Sequence, residues 1–381
     1  MNTRHCIAAL AVVIASLAVP NTVARASGDV SSIEPVWHAV GPADGRHVVA
    51  DELGVVMTGG SGDVRAVGAN GDAQWKASIA LPDEYVDARP ALGGGLVVVP
   101  VNGQRVVALD RTTGSPRWQQ PADGVLAAAV GDGPSGPLVV TVTPTAVGLV
   151  SAVDGAPLWS AALDIERDRL TAVPRASTTA GQVLVVWGDS RTSVRAFDVA
   201  SGGATWSLDL PNWSTLPAVE GDGLFFVANK SWRGTHVVSE ARRLDVATGE
   251  LRWARRITGA FMPSMVTDVE GSKVVVVGTL GQVTALSASD GAVLWRRRTF
   301  RTQYENAPRI VGPVVAFTTY GTGLQALSLA DGNVVSNEIP GQAETFAIID
   351  DSAAANGQLY LLVRRSGASE GEVWMLLPQG S

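Results

Sequence analysis

Cysteine is almost absent from this sequence. Of its 381 residues only Cys6 is a cysteine, and it lies at the front of an apolar N-terminal segment. Residues 27–381 therefore contain no thiol, which excludes disulfides, thiolate metal ligands and a cysteine nucleophile from that part of the chain. A fold made from these residues must rely on packing and hydrogen bonds alone.

Histidine is also scarce, and the catalytic or metal-like motifs are incomplete. His38, His47 and His236 lie far apart in sequence and lack the spacing of zinc ligands. The GDS triplet at 188–190 resembles a lipase nucleophile block, but no Asp-x-x-His follows it, so we interpret it as a turn. The carboxylates of 164–168 (DIERD) alternate as in a calcium loop, but the glycine and distal glutamate are missing, which favours a solvated loop.

Positive charge is in deficit. The chain has 29 lysines and arginines against 36 aspartates and glutamates, a formal net charge of −7. This excess of negative charge disfavours general nucleic-acid binding, because a protein needs basic surface to displace the counterions of the phosphates. Beyond the N-terminus, no stretch is long and apolar enough to cross a bilayer. We expect a monomer that is not membrane-embedded and does not bind nucleic acid.

The N-terminus has the pattern of a secretory signal. Arg4 and His5 precede the apolar run of residues 6–19, and the triplet at 24–26 (ARA) fits a cleavage site. Cys6 is the first residue of the apolar run, whereas a lipid-modified cysteine would follow the run, so we do not expect a lipoprotein. We predict a signal peptide at 1–26 and a secreted or periplasmic protein; an uncleaved anchor is the alternative.

A repeat occupies the rest of the chain. The run VVALDRTTGSPRW at 106–118 recurs at intervals of 41–47 residues. Each copy has an alternating apolar segment, an Asp-Gly, Thr-Gly or similar turn, and then tryptophan, except that the last copy has Ser336 in the tryptophan position. The tryptophans in this register are Trp75, Trp118, Trp159, Trp206, Trp253 and Trp295.

One period corresponds to four short strands. Alternation predicts strands, glycine turns predict hairpins, and two further apolar runs precede each marked pair. Four strands per period of this length are typical of a β-propeller blade. The C-terminal end of the chain lacks an outermost strand that contains tryptophan. The run around Trp37, near the N-terminus, has the features of such a strand, so we predict that it closes the last blade. The sequence thus predicts an all-β protein with eight four-stranded antiparallel blades; seven blades is the alternative.

This pattern resembles the PQQ-like, quinoprotein-type β-propeller repeat over residues 27–381, which we expect to form a single domain. In overall plan it is similar to the BamB family of outer-membrane assembly factors. The resemblance implies docking between blades as the role of the seven repeat tryptophans, Trp37 included. It also admits quinoprotein enzymes, whose cofactor lies against a disulfide between adjacent cysteines. This chain cannot form that disulfide, so we expect no cofactor.

Candidate binding residues are expected on the face formed by loops that enter the innermost strands and by loops between the middle strands. Aromatic side chains mixed with charges are typical of recognition surfaces, although ordinary polar loops are an equally good interpretation. The longest middle loop is predicted at Asn229–His236. The candidates on this funnel face are Asp83, Glu84, Tyr85, Asp87, Arg89, Trp213, Trp232, Arg233, His236, Phe261, Gln303, Tyr304, Glu305, Asn306, Glu344 and Phe346.

A second candidate surface is basic. Arginines follow the tryptophan in two consecutive repeats, so we expect them to cluster on one rim of an otherwise acidic protein. They are Arg255, Arg256, Arg296, Arg297, Arg298 and Arg301. They predict a docking site for an acidic partner or an anionic envelope polymer. The alternative is that they keep exposed edge strands from associating.

The sequence therefore predicts an exported propeller that binds a protein partner in the cell envelope and acts as a scaffold, with outer-membrane protein assembly as one version of that role. The alternative is a small quinoprotein-type enzyme, with PQQ and calcium, or another enzyme with its site in the funnel. The predicted fold does not choose between them, because one propeller architecture serves many activities.

Overall fold

Every secondary-structure element of the described chain is a β-strand. A computed structural model describes residues 30–380, apart from sixteen short segments. These segments are 82, 87, 102–103, 134–135, 167–171, 180, 189–190, 212–217, 234–235, 259–263, 268–271, 279–280, 300–307, 320–322, 337–346 and 366–370. The predicted signal peptide at 1–26 lies outside the described residues.

The strands form four-stranded antiparallel blades. From its innermost to its outermost strand, blade 1 is β2 (Gly45–Asp51), β3 (Gly54–Gly59), β4 (Asp63–Gly68) and β5 (Ala73–Ser78). In the same order, blade 2 is β6 (Ala91–Gly93), β7 (Leu96–Val101), β8 (Arg105–Asp110) and β9 (Pro116–Pro121). Blade 3 is β10 (Ala127–Gly133), β11 (Gly136–Val142), β12 (Ala146–Ser151) and β13 (Pro157–Ala162). Blade 4 is β14 (Ala172–Thr179), β15 (Gln182–Gly188), β16 (Arg191–Asp198) and β17 (Ala204–Pro211).

The second half of the chain repeats this plan. Blade 5 is β18 (Ala218–Glu220), β19 (Gly223–Arg233), β20 (His236–Asp245) and β21 (Leu251–Thr258). Blade 6 is β22 (Ser264–Thr267), β23 (Lys273–Val277), β24 (Gln282–Ser287) and β25 (Val293–Arg298). Blade 7 is β26 (Arg309–Val311), β27 (Val314–Thr319), β28 (Gly323–Ser328) and β29 (Val334–Ser336). Blade 8 is β30 (Ala347–Ala355), β31 (Gln358–Arg365), β32 (Glu372–Gly380) and, from the N-terminus, β1 (Val30–Val40).

The N-terminal strand closes the ring. β1 runs antiparallel to β32, from the pair Val30–Gly380 to the pair Val40–Glu372. The last blade therefore takes its outermost strand from the other end of the chain, so that neither terminus leaves blade 8 incomplete. The prediction of eight blades with this closure is confirmed, and the seven-blade alternative is wrong.

The hydrophobic core lies between blades. Each of the eight apolar clusters in the described residues joins two neighbouring blades, and together they run around the ring. The cluster that joins blades 8 and 1 packs Val55 and Met57 against Tyr360 and Leu362. Middle strands such as β3 and β7 are buried along their whole length, because both faces of a blade are covered by its neighbours.

In blades 2 to 7, the turn before the outermost strand contains a carboxylate and a hydroxyl three residues apart, in either order. Asp110 accepts a hydrogen bond from the Thr113 hydroxyl at 3.0 Å, and Asp198 accepts one from Ser201 at 2.7 Å. In other blades the order is reversed, so that Ser151 donates to Asp154 and lowers the pKa of that carboxyl. Both orders place a hydrogen bond between a hydroxyl and a carboxylate within the same turn, which explains why the repeat tolerates both sequences.

The predicted middle loop at Asn229–His236 is wrong in extent. The β19–β20 ladder continues to the pair Arg233–His236, so Trp232 and Arg233 lie on a strand. The aromatic and β-branched residues of this stretch, such as Trp232, Val237 and Val238, favour extended backbone. The two candidate binding residues are thus placed on a long hairpin of blade 5.

Candidate functional site

The repeat tryptophans join each blade to the next. Trp118, on the outermost strand of blade 2, donates its indole N–H to the carbonyl oxygen of Ala152 in blade 3 at 2.9 Å. Seven such bonds, all between 2.8 and 3.0 Å, occur in the described residues. Donor and acceptor are Trp37–Ala69, Trp75–Arg111, Trp118–Ala152, Trp159–Val199, Trp206–Val246, Trp253–Ala288 and Trp295–Leu329.

The glycine of each receiving turn makes room for the indole. Gly202 has φ +69°, and a Cβ there would lie 2.6 Å from the Trp159 ring. Gly114 stands in the same relation to Trp75 at 2.5 Å. Glycine therefore meets two requirements at this position, a left-handed backbone and close contact with an aromatic ring. Tryptophan and turn glycine form one docking unit, although they belong to different blades.

The junction between blades 7 and 8 is built differently. Ser336, on β29, stands where the other blades have tryptophan. Trp374 of β32 packs at the edge of the cluster between these blades, and its ring stacks on His38 with centroids 5.2 Å apart. Its N–H donates to Glu372, a residue of its own strand, at 2.8 Å. Blade 8 thus supplies the aromatic surface here, but this N–H does not link the two blades.

The face that was predicted to carry binding residues is organised by backbone hydrogen bonds. Connections to the next blade bond to the turn between the two middle strands: Ile79 N donates to Gly62 O at 3.0 Å, and Leu163 N to Thr145 O at 2.8 Å. Glu84, on the first of these connections, accepts from Arg105 at 2.7 Å, which lowers the pKa of that carboxyl. Both kinds of loop therefore share one face.

Most of the predicted funnel-face residues cannot be placed on this surface. Outside the described residues lie Asp87, Trp213, Phe261, Gln303, Tyr304, Glu305, Asn306, Glu344 and Phe346. Trp232, Arg233 and His236 have a strand position only. Asp83 and Tyr85 are exposed near the start of blade 2, and Tyr85 retains 48% of its accessible surface.

Arg89 lies at a junction of innermost strands that the sequence did not predict. Its Nη1 is 2.9 Å from Asp351 Oδ1, and its Nη2 donates to the carbonyl oxygens of Val48 and Ser352 at 2.6 and 3.0 Å. Arg309 of blade 7 donates to the same Ser352 oxygen at 2.7 Å. Blades 1, 2, 7 and 8 are thus tied together at one point. No local motif marks Asp351, so sequence reasoning had no signal for it.

Strand alternation divides the predicted arginine rim into separate surfaces. Arg255 Nε donates to Gly291 O of blade 6 at 2.8 Å, which shows that its side of β21 faces blade 6. Arg297 makes the equivalent bond to Gly332 O of blade 7 at 3.1 Å. Neighbouring residues on a strand point to opposite sides. Arg296 and Arg298 therefore turn back towards blade 5, and Arg256 turns towards blade 4; Arg301 lies outside the described residues.

The carboxylates near these arginines are already engaged. Glu240 bonds to Arg242 at 2.7 Å, Asp245 to Arg252 at 2.6 Å, and Asp222 to Arg243 at 2.6 Å. Arg252 lowers the pKa of Asp245 through its hydrogen bond. Arg256, Arg296 and Arg298 are exposed and form no side-chain hydrogen bond or ion pair within the part of the chain that the structure describes.

The motifs that resembled catalytic or calcium sites lie only partly within the described residues, and their described parts form no site. Gly188 ends β15, and the rest of its triplet lies outside the described residues. Of the 164–168 run, Ile165 is buried and bonds through its N–H to Pro144 O, while 167–168 are outside the described residues. Among the described residues, no group of three or more His, Cys, Asp or Glu side chains could hold a metal ion.

The sequence of this propeller matches a model of a known protein family. The model described as "Outer membrane protein assembly factor BamB" matches residues 60–212 and 237–380, which is most of the chain. The chain belongs to the BamB family. Its eight blades, tryptophan docking units and N-terminal closing strand are therefore features of a BamB-family propeller.

Individual relatives agree with this assignment. A curated "Outer membrane protein assembly factor BamB" of Burkholderia pseudomallei (strain K96243) is 25% identical over 321 residues, covering 79% of this chain and 80% of the relative. The crystal structure of BamB from Moraxella catarrhalis matches with TM-score 0.62 at 18% identity, covering 91% of this chain and 97% of that one. The computationally designed Ika8 protein matches with TM-score 0.63 at 14% identity, covering 92% and 98%.

The two solved structures show the fold alone, because their sequence identity is low and a designed protein is one of them. No membrane-spanning helix is found among the described residues of this BamB-family chain. The family assignment agrees with the expectation that the chain works without a cofactor, since the matched relatives are named as protein assembly factors.

Proposed function

We propose that this protein is a scaffold in outer-membrane protein assembly, acting in the cell envelope. The observation that carries the proposal is the family match, which covers blades from both halves of the ring. The named role of the curated relative is the assembly of outer-membrane proteins, and its alignment spans about four fifths of both chains.

The ring is physically suited to a scaffold role. Each blade is clamped to its neighbours by an apolar cluster, and at seven junctions also by a tryptophan N–H bond. Such a ring holds the ends of its strands in fixed relative positions, which lowers the ordering cost of binding a partner across several blades. We propose that partners bind on the funnel face, with Tyr85, Trp232 and Arg233 among the contacting residues.

The proposal includes export. Residues 1–26 would be removed as a signal peptide, and residues 27–381 would fold as one domain in the periplasm. β1 begins at Val30, three residues beyond the proposed cleavage point. Cleavage would leave the closing strand intact, and mass spectrometry of the mature N-terminus would test this. A mature chain that begins within β1 would contradict the proposal.

Genetic complementation tests the function. Deleting the gene in its native host should lower the amount of folded outer-membrane β-barrel proteins, measured by their heat-modifiable migration on gels, and the full-length gene should restore it. Crosslinking and mass spectrometry in the native envelope should then recover assembly proteins. Normal barrel folding in the deletion strain, together with crosslinks to unrelated proteins only, would overturn the proposal.

A further inference from the structure

The seam between the outermost strands of blades 5 and 6 collects three guanidinium groups. Arg255 enters it from β21 and is anchored by its Nε to Gly291 O of blade 6. Arg296 and Arg298 enter from the opposite wall, because Trp295 and Arg297 on the same strand face blade 7. We call Arg255, Arg296 and Arg298 the seam arginines.

The charge of the seam is only partly balanced by nearby groups, since Arg255 interacts with the Asp290 carboxylate. The cross-strand partners of Arg296 and Arg298 are Thr284 and Gln282, which are neutral. The nearby carboxylates of blade 5 form ion pairs with other arginines. Asp290, in the turn that Arg255 contacts, accepts hydrogen bonds from Ser287 and from Ala292 N, and the charge of Arg255 helps to lower its pKa. Arg296 and Arg298 keep the remaining positive charge of the seam. A positive seam on a chain of net charge −7 is therefore a local feature that attracts an anionic group.

We propose that this seam binds an acidic, extended segment of a protein partner. Guanidinium groups bind carboxylates through paired hydrogen bonds, and three of them along a seam match successive carboxylates of an extended chain. β21 and β25 are the outermost strands of their blades, so each also offers backbone donors and acceptors along one edge.

The surroundings of the seam favour a protein segment over a lipid surface. Leu251, on β21, and Val293 and Leu294, on β25, are exposed at the end of the same two strands. Apolar side chains next to arginines are typical of protein interfaces. Arg255 is held against the turn of blade 6, whereas a flat bilayer would touch only the outermost points of a convex rim. The inference rests on the proposed function in one respect, that the occupant is a protein.

Peptide binding to the purified full-length mature chain tests the inference. The probes are a fluorescent decaglutamate peptide and a decaglutamine peptide. Anisotropy is measured at about 0.15 M salt, where charges more than about 8 Å from the peptide are largely screened. The unaltered chain should bind decaglutamate and not decaglutamine. The double variant Arg296→Gln/Arg298→Gln should bind decaglutamate at least about tenfold more weakly, since it loses two charge-assisted contacts.

The control is Lys76→Gln/Arg256→Gln, which also removes two positive charges, from exposed positions outside the seam. Of these two side chains, Lys76 forms an ion pair with Asp63 at 3.3 Å. The affinity of the control variant should stay within about twofold of the unaltered chain, because diffuse charge adds little at a distance. Equal losses in both double variants would overturn the inference, as would the absence of decaglutamate binding. The inference would also be overturned if the Arg296→Gln/Arg298→Gln variant kept peptide binding but no longer co-sedimented with phosphatidylglycerol vesicles.

The outcome can be separated from that of the proposed function. A chain that fails to bind decaglutamate but restores barrel folding in the deletion strain overturns the seam inference alone. Failure of the unaltered gene to restore barrel folding overturns the proposed function, whatever the peptide result.

Discussion

Arg89 and Asp351 are 262 residues apart in the chain, and their side chains form an ion pair at 2.9 Å. Arg89 precedes the innermost strand of blade 2, and Asp351 belongs to the innermost strand of blade 8. Between them lies Val48 of blade 1, whose N–H donates to Asp351 at 2.9 Å and whose carbonyl accepts from Arg89 at 2.6 Å. The pair therefore holds three consecutive blades together where the two ends of the ring meet.

Replacing Asp351 should weaken the closed ring. Asp351→Asn removes the charge that pairs with Arg89 and offers an amide where Val48 N–H needs an acceptor. We expect a loss of about 1–3 kcal/mol in the free energy of unfolding, since a mostly buried carboxylate acceptor is replaced by an amide that cannot accept all of the same hydrogen bonds. Asp209→Asn is the control, because Asp209 is half exposed in its pair with Arg195 and should cost less than about 1 kcal/mol. Urea denaturation measures both; equal costs would contradict the closing role of the pair.

The docking glycines should tolerate no side chain. Gly202→Ala adds a methyl group 2.6 Å from the Trp159 ring in a backbone with φ +69°. Gly181→Ala is a matched control, because Gly181 has φ +73° and no atom within 4 Å of the added carbon. The control should cost about 1–2 kcal/mol for backbone strain alone, and Gly202→Ala about 1–3 kcal/mol more for the clash. Thermal and urea unfolding give the difference, and identical stabilities would show that the indole contact is not needed.

Blade 7 should be the least protected at its outer edge. Within the described residues, β29 has Ser336 in the tryptophan position and so contributes no indole to the junction with blade 8, whereas Trp295 of β25 is bonded to blade 7. Local opening is easiest where packing and hydrogen bonds are fewest. Hydrogen–deuterium exchange should therefore be faster in peptides covering Val334–Ser336 than in those covering Val293–Arg298. Similar exchange in the two peptides would argue that Trp374 replaces the missing docking unit completely.

Acid should destabilise the turns. Hydrogen bonds from Thr112 and Arg117 hold the pKa of Asp110 well below its usual range, and the hydroxyl of Ser201 lowers the pKa of Asp198. A carboxylate with a lowered pKa in the folded state stabilises the protein above its unfolded pKa, about 4, and loses that contribution as the pH falls further. The melting temperature should thus be level between about pH 7 and 5 and fall below about pH 4. Asp110→Asn should fall less steeply; an unchanged acid slope would exclude Asp110 as a contributor.

Local features of the sequence were enough to predict the blades. Gly114 and Trp118 mark a turn and an outer strand by their residue types, and their recurrence every 41–47 residues predicts one blade per period. Trp37 predicted the closing strand for the same reason. The extent of the blade 5 hairpin was not predicted. Trp232 and Arg233 belong to strand β19 through their pairing with β20, and cross-strand pairing over this length is decided by the tertiary structure.

The sequence by itself determined the repeating unit and favoured eight blades closed by the N-terminal strand, because alternation, turn glycines and docking tryptophans are encoded by residues close together in the chain. The pairing of β1 with β32 excluded the seven-blade alternative. Only the tertiary structure decided which distant side chains meet. Asp351 reaches Arg89 because closure brings blade 8 next to blade 1. Arg255 is separated from Arg256, and joined to Arg296 and Arg298, because adjacent residues on a strand face opposite blades.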